Sequence, residues 1–209
     1  MNFDNILKNV GEYYSDKILS YGVTPKGVDW STEESQLLRF DQLLKVRNHQ
    51  KHFSINDYGC GYGALIEYMS SKNYQFNYFG YDISTQMLNT AKELYRNRQN
   101  IIFCYQNPDL PVSDYTVASG IFNVKQNIEI HEWERYILAT LDNLSNLSSC
   151  GFAFNILTKY SDAERMRPDL YYGDPCFLFD YCKTRFSRNV SILHDYNLYE
   201  FTVIVRKIN

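Results

Sequence analysis

The sequence predicts an α/β fold built on a mostly parallel, seven-stranded sheet, with helices on both faces and an antiparallel hairpin at its C-terminal end. Three observations carry this. Short apolar runs alternate with helical patterns from residue 53 onward, and a glycine-dense loop follows the first run. The last two runs, Val190–Leu193 and Glu200–Arg206, are separated by the short segment around Asp195-Tyr196-Asn197. A parallel crossover needs a dozen or more residues, so this pair is a hairpin and one strand is reversed.

Element by element, a helical pattern runs from Ile6 to Ile18 and breaks at the turn-rich stretch Gly22–Gly27. Ser31-Thr32-Glu33-Glu34 matches a capping box, and Leu37, Leu38, Phe40, Leu43 and Leu44 follow at helical spacing, so a second helix extends to about Val46. Strands are expected at Phe53–Ile55, Tyr78–Tyr81, Ile101–Cys104 and Thr116–Ala118. Helices at Ala64–Ser71 and Ser84–Arg98 separate the first three, with Ser84 placed to cap the second. A helix from about His131 to Leu147 presents Trp133, Ile137, Leu141 and Leu144 on one face and feeds the strand Gly151–Leu157. Residues 158–180 read as irregular. The organisation is therefore an N-terminal helical extension, 1–48, acting as a cap or lid, and one domain over 49–209 with an insertion near 158–185.

The 209 residues suit one α/β domain of roughly 200 residues. With 21 basic against 24 acidic side chains and a pI near 5.8, the chain lacks the basic excess of a nucleic-acid binder. No apolar stretch approaches the ~20 residues of a membrane span, and the N-terminus carries no secretory signal. Cys60, Cys104, Cys150, Cys176 and Cys182 form no CxxC pair, and His49, His52, His131 and His194 are not at zinc-finger spacing beside them. No metal site is expected, and the scattered thiols fit a reducing cytoplasm.

The most informative stretch is Asp57-Tyr58-Gly59-Cys60-Gly61-Tyr62-Gly63-Ala64, where the first strand turns into a helix. Glycines let the backbone turn sharply and a ligand approach closely, and the helix N-terminus adds unpaired N–H groups. Gly59, Gly61 and Ala64 also satisfy the looser dinucleotide fingerprint, and Asp82, 23 residues after Gly59, suits either reading by accepting from ribose hydroxyls. Two features break the tie. Asp57 would repel a pyrophosphate but favour a ligand carrying ammonium or sulfonium charge. The terminal hairpin is also absent from a second mononucleotide-binding half.

These residues, with Tyr115-Thr116-Val117-Ala118-Ser119-Gly120 at the fourth strand, resemble the successive motifs of class I S-adenosylmethionine-dependent methyltransferases over about residues 50–209. The resemblance implies a Rossmann-like fold and S-adenosylmethionine as cofactor. Gly59, Gly61 and Gly63 would pass beneath its methionine part, with Asp57 near the amino group. Asp82 would hold the ribose and Ile83 would lie against the adenine. Ser119 and Gly120 would line the methionine end and the mouth of the substrate site. The third motif, Tyr105-Gln106-Asn107-Pro108, lacks the Asp of many relatives, which leaves Gln106 or Asn107 to meet the adenine edge.

Methyl transfer is an in-line displacement driven largely by positioning, and a base is needed only where the acceptor must lose a proton. His194, past the sixth strand, is the leading candidate for that base, with His131 second. A surface histidine beside Asp195 is the plain alternative. Substrate contacts are expected from Trp30 and Arg39 in the extension and from Arg165, Arg167, Tyr171 and Tyr172 in the insertion, residue types suited to an anionic or polyhydroxylated molecule. Tyr13 and Tyr14 could close the lid.

The expected function is methyl transfer to a small molecule, by a monomer or homodimer. The terminal segments resemble small bacterial enzymes of this family, some associated with surface-sugar or specialised-metabolite pathways. An Asn-Pro-Pro-Tyr-type motif for base methylation is missing, Ile121-Phe122-Asn123-Val124 standing in its place. An NAD(P)-dependent oxidoreductase and a non-catalytic binding module are the alternatives from other classes.

Overall fold

The computed structural model describes residues 3–48 and 51–208. His49, and with it the junction between the two expected regions, lies outside the described residues. Strands β1 (His52–Tyr58), β2 (Gln75–Tyr81), β3 (Ile101–Cys104), β4 (Ser113–Ala118), β5 (Ser148–Leu157), β6 (Asn189–Leu193) and β7 (Glu200–Arg206) form one sheet, in the order β3-β2-β1-β4-β5-β7-β6. The neighbours from β3 through β5 pair in parallel, and β7 runs antiparallel to both β5 and β6. The expected fold is therefore the observed one. The order reverses at β1 and β4, and in open α/β sheets ligands bind where it does so.

Helices α1 (Asp4–Tyr21), α2 (Glu33–Leu44), α3 (Ala64–Ser71), α4 (Thr85–Leu94), α5 (Ile130–Asn146) and α6 (Pro175–Arg185) cover the sheet. Side chains alternate across each strand, so the sheet feeds two apolar layers. On one face, Phe152, Phe154, Phe201 and Val203 pack with Trp133, Ile137 and Leu141 of α5 and Leu178 of α6. The other face joins Phe53, Ile55, Tyr78 and Val117 to Phe40 and Leu43 of α2, Leu65 and Met69 of α3 and Leu88 of α4. Trp133 is fully buried, and its indole N–H donates to the Phe122 carbonyl at 2.9 Å.

The structure differs from the sequence reading in three places. Helix α2 starts one residue later than the capping box implies: Thr32 is the N-cap, its hydroxyl accepts from the Ser35 N–H, and the Ser35 hydroxyl returns a bond to the Thr32 carbonyl. The reciprocal pair is thus Thr–Ser rather than Ser–Glu. Helix α4 stops at Leu94, short of Arg98. Helix α6 begins inside the stretch read as irregular and runs five residues past its end. Its apolar residues Phe177, Leu178, Phe179, Tyr181 and Cys182 surround the helix and leave no stripe to detect, but Asp174 caps it through the Cys176 N–H and Pro175 opens it. An acidic cap followed by Pro is a helix start signal.

The extension divides in the structure. Helix α2 belongs to the core layer under β1, while α1 crosses the carboxyl edge of the sheet and sinks Ile6 and Val10 into the α5 layer. Among the described residues no helix is long and apolar enough to cross a membrane.

If Thr32 is the cap, Thr32→Ala costs about 1 kcal/mol of unfolding free energy. Ser31→Ala stays within about 0.5 kcal/mol of wild type. Denaturant melts of the two variants check this, and the opposite ranking would restore the earlier start.

Candidate functional site

The glycine loop is tied down before it meets any ligand. Gly59 and Cys60 both donate their N–H groups to the Tyr81 carbonyl, at 2.7 and 2.9 Å, which holds the end of β1 against the end of β2. Gly59 has φ +85°, and a Cβ there would lie 2.2 Å from Cγ2 of Ile121, so only glycine fits. The next turn brings the Gly61 N–H to Oδ2 of Asp82 at 2.8 Å, and the Ser84 N–H bonds Oδ1 at 2.9 Å. Ser84 also caps α4 by accepting from the Met87 N–H, as its sequence position implies.

Two carboxylates flank this loop, both nearly inaccessible to water: Asp57 is 4% and Asp82 8% exposed. Burial pushes the Asp57 carboxyl up to about 7; the Tyr78 hydroxyl, donating to Oδ2 at 2.8 Å, pulls it down, and the charge of Asp82 adds to the rise. Burial likewise pushes Asp82 up to about 6, against the backbone N–H bonds from Ser84, Gly61 and Ile83. Two like charges at this depth create a site that favours a cation and repels a polyanion.

Over the loop lies the cap. Helix α1 meets α4 through the Ser15 and Ser84 hydroxyls, 2.8 Å apart. The short helical turn Pro25–Val28 ends on Asp29, a left-handed residue with φ +64°. The Asp29 carboxylate accepts from the Tyr13 hydroxyl at 2.7 Å and from Lys17 Nζ at 2.6 Å, latching the turn to α1. The cleft so enclosed spans about 880 Å³, part of it open to solvent. Its walls are the loop, the cap and the Tyr58, Tyr81 and Tyr136 rings, and among the described residues none that lines it is Lys, Arg or His.

Of the residues expected to hold a cofactor, Asp57, Gly59, Gly61, Asp82, Ile83 and Ser119 all line this cleft. Gly63 does not; it opens α3 and gives its carbonyl to the Tyr95 hydroxyl at 3.1 Å. Gly120 stands just behind the wall, where a Cβ would lie 2.5 Å from the Trp30 ring. Gln106 is exposed and absent from the lining, because β3 ends three residues before the turn at Asn107–Asp109 and carries it past the cleft.

Among the expected substrate contacts only Trp30 lines the cleft. Arg39 is buried behind it, its guanidinium 3.9 Å from the Trp30 ring centroid. The insertion points elsewhere. Tyr171 is a core residue whose hydroxyl donates to Glu134 at 3.0 Å, Tyr172 accepts from the Arg167 N–H, Arg167 pairs with Asp169, and Arg165 lies over Tyr199. These four residues therefore knit the insertion to itself and to α5.

His194 is also misplaced by the sequence reading. It sits at the carboxyl edge as expected, but β7 inserts between β5 and β6 and makes β6 the outer strand, about 14 Å from β4 at the usual strand spacing. There it is exposed, against Phe201 and Tyr160. His131, in the first turn of α5, is exposed too and does not line the cleft. The cleft residues that sequence reasoning missed are mainly apolar and aromatic: Phe40, Met87, Ile121, Tyr58, Tyr81 and Tyr136. Tyr58 and Tyr81 were legible by position, since each directly precedes a motif residue at a strand end. Among the described residues no cluster of His, Cys, Asp or Glu is arranged to hold a metal ion.

Comparison with known proteins gives this geometry a family. The family model for the methyltransferase domain matches residues 55–144, from the middle of β1 to α5. Among solved structures, the N-methyltransferase NodS from Bradyrhizobium japonicum, determined with S-adenosylhomocysteine, aligns with a TM-score of 0.64 at 14% identity, covering 96% of this chain and 100% of that one. An S-adenosylmethionine-dependent methyltransferase from Aquifex aeolicus aligns with a TM-score of 0.59 at 17% identity, covering 84% and 94%. Likenesses this distant speak for the fold. A nearer relative is the Mycobacterium tuberculosis protein named "Putative methyltransferase Rv1506c", 50% identical over 165 residues, which are 78% of this chain and 99% of that protein. With half of its residues identical along the whole of that relative, and with the strand order and loop just described, the chain belongs to the class I S-adenosylmethionine-dependent methyltransferases.

Proposed function

We propose that the cleft binds S-adenosylmethionine through the residues it brings together, and that the enzyme methylates a small-molecule acceptor, with sugars and specialised metabolites the first classes to screen. One observation carries the reading: two buried carboxylates flank a glycine loop inside an enclosed, largely apolar cleft. A sulfonium donor with an α-amino group and a ribosyl adenine matches that chemistry. Asp57 would face the amino group. Asp82 spends three of about four lone-pair positions on the backbone N–H groups of Gly61, Ile83 and Ser84 and keeps the remainder for a ribose hydroxyl. Ile83 and Met87 supply an apolar wall for a base, and Ser119 stands at the methyl end.

The cofactor supplies an activated methyl group; the protein's part is to orient it, exclude water and present the acceptor. The cap does the excluding. With no Lys or Arg in the lining, the cleft offers nothing to a phosphate backbone, which favours a small acceptor over a nucleic acid. Neither histidine candidate reaches the cleft, so no histidine base enters the proposal.

Calorimetric titration tests the reading directly. S-adenosylmethionine and S-adenosylhomocysteine bind, Asp82→Ala weakens both by at least about tenfold, and NAD does not bind. Tight NAD binding would overturn it in favour of a dinucleotide enzyme, and failure of all three would leave a fold without its cofactor.

Asp57 links affinity to pH. Its carboxyl is raised in the folded protein, so its protonated form stabilises the fold at low pH and that contribution is lost as pH rises from about 4 to 7. At pH 8 the ionised, buried group strains the ligand-free protein. Asp57→Asn therefore raises the melting temperature of the ligand-free enzyme at pH 8 by roughly 3 °C or more, while weakening S-adenosylmethionine binding. Wild-type affinity falls as pH drops through about 7, and the variant loses that dependence. An unchanged pH profile in Asp57→Asn would remove Asp57 from cofactor recognition.

A further inference from the structure

Behind the wall of the cleft lies an ion pair that the cofactor reading does not use. Arg39 on α2 and Glu200, the first residue of β7, meet through Nε and Oε1 at 2.7 Å, with 8% and 1% of their surfaces exposed. The pairing is incomplete. Arg39 Nη1 and Glu200 Oε2 are buried and have no hydrogen-bond partner among the described residues, and Arg39 Nε, although close to Oε1, makes no hydrogen bond either. Native proteins rarely bury such groups unpaired, and where they do the exception calls for a cause. A strut joining α2 to β7 could be built from apolar side chains with no orphaned atoms.

The position of the pair suggests that cause. Asn155 Nδ2 sits between Glu200 Oε1, at 3.5 Å, and the Ser119 hydroxyl, at 3.4 Å, and Asn155 Oδ1 accepts from the Gly120 N–H at 2.6 Å. Ser119 lines the cleft, so one side chain separates Glu200 from its methyl end. On the other side the Trp30 ring stacks on the Arg39 guanidinium and closes against Gly120. Trp30 is carried by the cap, and it is the side chain that stands between the cleft and the pair.

We propose that Arg39 and Glu200 form an acceptor subsite, shuttered by Trp30, that receives an uncharged hydroxyl group: the hydroxyl oxygen accepts from Arg39 Nη1 and its hydrogen is donated to Glu200 Oε2. The acceptor class is thus a hydroxylated molecule, neutral at the group that enters. The two protein charges cancel, so neither ion gains by entering: an ammonium meets Arg39 and a carboxylate meets Glu200. A hydroxyl has both the donor and the acceptor that the orphaned atoms lack. The inference rests on the methyl-transfer reading for its location and deepens it by naming the acceptor chemistry.

The test uses cyclohexanol, cyclohexylammonium and cyclohexanecarboxylate as matched probes, followed by ligand-observed NMR on the enzyme saturated with S-adenosylhomocysteine. The alcohol is expected to bind in preference to both ions, and more tightly to Trp30→Ala, where the shutter is removed. Glu200→Gln should weaken the alcohol by roughly tenfold. The double variant Arg39→Met/Glu200→Leu, which keeps an apolar strut and so preserves folding, should abolish the preference while S-adenosylhomocysteine affinity holds. A preferred ion, alcohol binding that survives the double variant, or no probe bound even by Trp30→Ala would each overturn the subsite. If S-adenosylhomocysteine itself fails to bind wild type, the cofactor reading falls, and the same probes on the unloaded protein still decide the subsite.

Discussion

The bond from the Gly61 N–H to the Asp82 carboxylate organises the carboxyl edge of the sheet. It joins the turn after β1 to the acid after β2, and the second oxygen of Asp82 reaches on to the Ser84 N–H, where α4 begins. Two strand ends, a loop and a helix start are thereby fixed by one side chain. The cost is a carboxylate held away from water, which explains why Asp82 needs several backbone donors to remain an acid of use near neutrality. Asp57 has a single tyrosine donor and is shifted further. Burial thus disfavours the charged form of both acids, and a cation bound beside them would favour it.

In the proposed reading, the part of the cap would be to keep water out of that site. Of its short polar links, Tyr13 and Lys17 to Asp29 tie the Pro25–Val28 turn to α1, and Ser15 to the buried Ser84 ties α1 to α4. Only Ile6, Val10 and Ile18 among its large side chains are fully withdrawn from solvent. Half-exposed ion pairs contribute little each. Any opening would have to withdraw Ile6 and Val10 from the α5 layer.

Much of this was legible in the chain. The alternation of apolar runs located all seven strands, Ser84 announced α4, and Asp57, Gly59, Gly61 and Asp82 declared the cleft, because each of these signals is local and chemically constrained. What escaped was of two kinds. The apolar side chains of helix α6 are spread around it among Asp180, Lys183, Thr184 and Arg185, so it has no stripe, and only its Asp174-Pro175 start betrayed it. The misplacement of His194 was topological. Sequence placed it correctly at the carboxyl edge, but lateral distance along a sheet depends on strand order, and nothing in the Asp195-Tyr196-Asn197 connection says that β7 will insert beside β5. Arg165, Arg167, Tyr171 and Tyr172 failed for a related reason: residue type suggested recognition, and partners available only after folding, Glu134, Asp169 and Tyr199, claimed them.

The same insertion of β7 that displaced His194 gives the site something a wholly parallel sheet lacks. Parallel strands end at the functional edge, so each delivers its last residues there, as β1 delivers Asp57 and β4 leads to Ser119. A reversed strand begins at that edge. Its first residue, Glu200, pairs with Leu157 at the end of β5, with no loop between it and the sheet, while the pairing of β7 with β6 begins two residues on, at Thr202. A carboxylate placed this way has little freedom to relax toward solvent, so its charge must be met by something brought to it. Arg39 from α2 meets one oxygen. The other has no hydrogen-bond partner among the described residues.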